Sequence, residues 1–167
     1  MSKSIYEIIL DNIEGDRLKD GFSLARETGN DQEFADGALD GILLYHFGKI
    51  RVLNADIMKL IISAVKACDG YDTEKADELF GRLGQETGAA EIAGEMQNYI
   101  RKRKSRFSPA ALYDSAKALM MHSENVMSVK CAIHISDLLI RDDEIRNVIK
   151  RLGLCNEFTL YACVNLE

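Results

Sequence analysis

Proline is almost absent from this chain: Pro109 is the one example in 167 residues. Tryptophan is missing and aromatic residues make up 7% of the total, so the core must be built from Leu, Ile, Val, Ala and Met. With so little proline, few helices are broken from within. The breaks come instead from Ser, Thr, Asp, Asn and Gly, which cut apolar stripes of helical spacing roughly every ten to sixteen residues.

Other absences narrow the function classes. The four cysteines, Cys68, Cys131, Cys155 and Cys163, show no CxxC spacing and sit in apolar stretches, as expected of buried, reduced thiols. No apolar run is long enough to span a bilayer. Ile8-Ile9-Leu10 is flanked by acids and too short for a secretory core. The expected compartment is the cytoplasm. There is no basic excess either: the net charge is −6, which disfavours a dedicated nucleic-acid binder because phosphate recognition needs a basic face.

What remains is ordinary for a globular protein, with 47% hydrophobic and 29% charged residues. The length suits one domain, 1–167, burying roughly two thirds of its unfolded surface. Ser4 is placed to cap a helix carrying Ile5, Ile8, Ile9 and Ile13. A weaker one should follow through Leu18, Phe22 and Ala25 to Gly29, so that 1–29 caps a helical array over 30–167. Asn30 precedes a longer stripe from Asp31 to about Gly48. Asn54 opens the clearest helix, with Ile57, Leu60, Ile61, Ala64, Val65 and Cys68 in phase and Gly70 to stop it. Further starts lie at Thr73, after Gly88, at Ser108-Pro109, after Ser123-Glu124-Asn125, at Asp142 and at Asn156. Proline after a capping serine is a strong signal, because its missing N–H is harmless at the first helical position.

None of these helices is long enough to be stable alone. Pair starts near Asp31, Thr73, Ser108 and Asp142 recur at roughly 34 to 42 residues, the range of helix–turn–helix solenoids. The expected fold is all-α: about nine or ten helices in stacked antiparallel hairpins.

Val129-Lys130-Cys131-Ala132-Ile133 with Leu138 resembles the inner-helix signature of HEAT-like α-helical repeats, and Phe158-Thr159-Leu160-Tyr161-Ala162 with Leu166 is a degenerate copy. The resemblance covers mainly residues 108–167. It implies a curved α-α superhelix whose concave groove, lined by second helices, binds a partner.

Candidate chemistry is sparse. Arg101, Lys102, Arg103, Lys104 and Arg106 form a basic cluster before Phe107. It can serve phosphates or an acidic partner, or simply offset the dipole at a helix C-terminus. Lys130 and His134 lie one turn apart on the next inner helix and join the candidate partner-binding set. Cys131 with His134 offers one ligand pair where a zinc site needs two, so no metal and no cofactor is expected. No nucleophile–base couple is set up locally. The reading is a non-enzymatic interaction scaffold or regulator that binds another protein or a second copy of itself. The alternative is a HEAT-like nucleic-acid-binding protein, acting on bases or not, with the 101–106 cluster on the backbone.

Overall fold

The structure is a computed structural model that describes residues 2–24, 41, 53–139 and 142–166. Among these residues the protein is all-α, with eight helices and one small hairpin. Helix α1 (Ile5–Asp11) starts as its sequence asks: the Ser4 hydroxyl accepts the Glu7 N–H while the Glu7 carboxylate accepts the Ser4 N–H, a capping box. No helix follows over 18–24. Instead β1 (Ile13–Glu14) pairs antiparallel with β2 (Arg17–Leu18). Gly15, at φ +66°, takes the first position of the two-residue loop, the place that type II′ turns reserve for glycine. The expected second capping helix is thus replaced by a hairpin in its first part, and Ala25 to Gly29 lie outside the described residues. So does the stripe from Asp31 to Gly48, apart from Gly41.

From Asn54 onward the helices fall where the caps put them. They are α2 (Ala55–Asp69), α3 (Thr73–Glu86), α4 (Ala89–Lys102), α5 (Pro109–His122), α6 (Val126–Ser136), α7 (Asp143–Leu152) and α8 (Asn156–Leu166). Side chains of Asn54, Asp72, Ser108, Asn125 and Asp142 each accept a first-turn N–H, which satisfies donors that have no partner within the helix. Residues 70–72, 123–125 and 153–155 are three-residue turns, and each makes its flanking helices pack as a hairpin: α2/α3, α5/α6 and α7/α8.

The hairpins stack in order. First helices meet first helices, α2 on α5 and α5 on α7; second helices meet second helices, α3 on α6 and α6 on α8. The last two pairs are those expected from the sequence. The pair expected to start at Thr73 is not: α3 turns back onto α2 and makes little contact with α4, which packs on α2 and α6 instead. Both apolar stripes are present as read, but a stripe does not say which neighbour will cover it.

Helix α6 is the centre of the molecule. It touches α3, α4, α5 and α8, and nine of its eleven residues are buried, so it has no solvent face. A continuous groove along the second helices is therefore interrupted here, because α4 lies on α6. Helix α1 packs on α5 and α7, fixed by Ser4 Oγ donating to the Met121 carbonyl at 2.7 Å and by Arg151 donating to the Tyr6 hydroxyl at 3.3 Å. No helix among the described residues is long and apolar enough to cross a membrane.

Candidate binding corner at the end of α4

The basic cluster straddles a helix end. Arg101 and Lys102 are in the last turn of α4, Arg103 is its C-cap, and Lys104 and Arg106 lie beyond it in a short 3-10 turn, 104–106. All five side chains are exposed. Among the described residues none of them forms an ion pair. The helix dipole accounts for positive charge at Arg101 and Lys102, but its influence fades within the last turn. Lys104 and Arg106 lie beyond that last turn.

Two of the arginines are held in place. The Arg103 guanidinium stacks 4.6 Å from the centre of the Tyr99 ring, and Tyr99 meets Phe107 edge-on at 5.7 Å. Arg101 donates to Gln97 Oε1 at 3.5 Å, and Gln97 Nε2 donates in turn to the His134 carbonyl at 3.0 Å and to Asp137 Oδ2 at 3.2 Å. The cluster is thus tied to the C-terminal end of α6. Ser108, which follows it, is anchored through its backbone N–H to Asp69 at the end of α2.

Beneath Lys104 and Ser105 opens a cleft of about 560 Å³. Its walls are Ile100 from α4, Phe107 from the linker, Pro109, Leu112 and Tyr113 from α5, and Leu138 and Leu139 after α6. At its edge the Tyr113 hydroxyl donates to Asp142 Oδ2 at 2.6 Å. That hydrogen bond pushes the Tyr113 phenol up to about 12. It also helps hold Asp142 below the usual carboxylate range, after the larger effect of the Ile145 N–H that Asp142 caps.

Lys130 and His134 do not join this corner. Lys130 is 7% exposed; its ammonium is paired with Glu157 of α8 and stands 5.2 Å from the centre of the Tyr161 ring. His134 approaches the same ring edge-on at 5.1 Å. These groups form a seam between α6 and α8 in which Lys130 is buried and His134 and Glu157 are half-buried. Their sequence spacing marked them as neighbours on one helix face, but not as a buried face.

Three of the four thiols are packed in the interior, as expected, whereas Cys163 lies on the outer side of α8 and is exposed. Burial pushes Cys68 up to about 12 and raises Cys131 further, while Cys155 is buried and Cys163 exposed. Among the described residues no three His, Cys, Asp or Glu side chains converge as metal ligands. Sequence reasoning missed the cleft itself. Its one local signal was Phe107, an aromatic residue directly after five cations.

No family model matches the chain, and no curated protein or solved structure is similar to it.

Proposed function

We propose that the chain is a non-enzymatic interaction protein, a HEAT-like stack of helical hairpins that binds a partner protein at the corner between α4 and α5. The ordered stacking of α2/α3, α5/α6 and α7/α8 supports the array reading, since that is how hairpin repeats bury a continuous core. With α4 on the inner face of α6, the binding surface moves from the groove of second helices to the corner cleft. The observation that carries the reading is the pairing of exposed cations, none of them ion-paired among the described residues and two of them beyond the last turn of α4, with an apolar cleft that Lys104 lines. Cations beside an apolar pocket are equipment for recognition.

The same five cations favour a second reading, in which the corner grips nucleic acid. The acidic balance of the chain and the single basic stretch weigh against it. A photo-crosslinking amino acid at Ser105 separates the two in cells. Protein adducts that vanish in the Lys104→Glu/Arg106→Glu variant support the first reading. Adducts to nucleic acid, together with low-salt binding of labelled duplex that Arg103→Glu/Lys104→Glu abolishes, establish the second. No adduct of either kind removes both.

A further inference from the structure

The composition of the corner says more about its occupant. The cleft is half open and its walls are predominantly apolar. That shape suits inserted side chains better than a small molecule, which pockets enclose over most of its surface. On its α4 side the charge is positive and concentrated in residues 101–106, opposite the Asp142 carboxylate at the Tyr113 edge, while the chain as a whole is at −6. An acidic partner is therefore repelled by the molecule at large and attracted at this corner, which fixes where it docks. Phosphates would gain from the cations but nothing from Phe107, Leu112 or Leu139.

Resting on the interaction reading above, we infer that the occupant is a short acidic segment of a partner protein. It inserts a large apolar side chain between Phe107, Leu112 and Leu139, while its carboxylates lie along Lys102, Lys104 and Arg106. Arg103 and Arg101, held by Tyr99 and Gln97, form the fixed part of the rim. Lys104 lines the cleft mouth itself, so the residue next to the apolar anchor is acidic.

The probes are fluorescein-labelled short peptides of three kinds: acidic with Phe and Leu anchors, the same acids with the anchors changed to Ser, and the same anchors with Lys in place of the acids. Anisotropy with the full chain should show the first binding at least about tenfold more tightly than either control, with affinity falling as salt rises. Lys104→Glu/Arg106→Glu and, separately, Leu139→Glu should each weaken it at least about tenfold. Lys104 and Arg106 are exposed and Leu139 is half-buried, and circular dichroism checks that each variant is folded.

Equal binding of the Ser-anchored peptide, indifference to Leu139→Glu, or tighter binding of single-stranded RNA than of any peptide overturns the inference. So does concentration-dependent self-association in sedimentation that Leu139→Glu abolishes, because the occupant is then a second copy. If no peptide binds but the Ser105 crosslinker still captures a protein, the occupant's stated chemistry is wrong and the interaction reading stands. If neither occurs, both fall.

Discussion

The Ser108 backbone N–H donates to Asp69 Oδ1 at 2.7 Å, joining residues 39 apart in the chain. This hydrogen bond fastens the start of α5 to the end of α2, and with it the linker that carries Lys104, Arg106 and Phe107. Asp69→Ala should cost about 1 kcal/mol in urea unfolding, below the roughly 1.5–3 kcal/mol of a hydrogen bond to a charged group because this one is exposed to solvent. Amide exchange at 103–108 should accelerate in the same variant. Unchanged exchange would show that this hydrogen bond is not what holds the linker.

Tyr71 sits at φ +58° and is 58% exposed. It occupies the left-handed position of a helix-ending motif, in which the Asp72 N–H reaches Ala67 O at 2.9 Å and the Tyr71 N–H reaches Cys68 O at 3.2 Å. Glycine belongs there, yet the glycine stands one residue earlier, at 70. Left-handed backbone costs a bulky residue roughly 1–2 kcal/mol, part of which glycine's extra unfolded freedom offsets. Tyr71→Gly is therefore expected to raise stability by about 0.5–1 kcal/mol. A shift of the urea midpoint to lower concentration would mean that the exposed ring contributes packing.

Gly81 lies where α3 crosses α6. A methyl group there would sit well inside van der Waals contact with the Asn125 side-chain amide. Asn125 cannot easily swing away, because its Oδ1 accepts the Met127 N–H that begins α6. In an open helix Gly→Ala stabilises; here Gly81→Ala should destabilise by about 1–3 kcal/mol through overpacking. Thermal unfolding gives the sign directly.

Lys130 and Glu157 are paired in the interior, with side chains 9% and 21% exposed. Removing one partner should be worse than removing both. Glu157→Gln is expected to cost about 2–3 kcal/mol, somewhat below a fully buried pair because Glu157 retains some solvent. Lys130→Met/Glu157→Leu should recover most of that loss. If the double variant is the less stable, the pair contributes net stability.

The Tyr113–Asp142 hydrogen bond gives two pH windows of opposite sign. Tyr113 titrates higher in the folded state, so its contribution is complete below its ordinary value near 10 and disappears as pH rises toward about 12. Asp142 titrates lower when folded, so its contribution is complete above the ordinary carboxylate range and fades as pH falls through its depressed value. In Asp142→Asn, NMR should find the Tyr113 ring titrating closer to 10, and the corresponding acid dependence of stability should be absent. A Tyr113 titration unmoved by the substitution would place the cause elsewhere.

Much of this fold was legible because helix starts are local events. Asn54, Ser108 and Asp142 cap their helices within three residues of themselves, and the stripes of α2, α5 and α7 follow from spacing alone. The hairpin at 13–18 was legible in principle: Ile13 and Leu18 pair on one side and Glu14 with Arg17 on the other, around Gly15-Asp16. Two residues per strand are too few to outweigh a helical reading of Leu18 and Phe22. The site was harder. Lys130 is buried because of Glu157, 27 residues away, and the cleft is assembled from the ends of α4, α5 and α6, which no single window of sequence brings together.

The burial of nine of the central helix's eleven residues also turns one of its side chains into a clock. Cys131 is completely buried and held protonated, so a thiol reagent can modify it only while the molecule is open. Cys163, on the outside, reacts at once and supplies the internal standard. With Cys68 and Cys155 replaced by Ala, the lag between the two modifications times how often this protein comes apart.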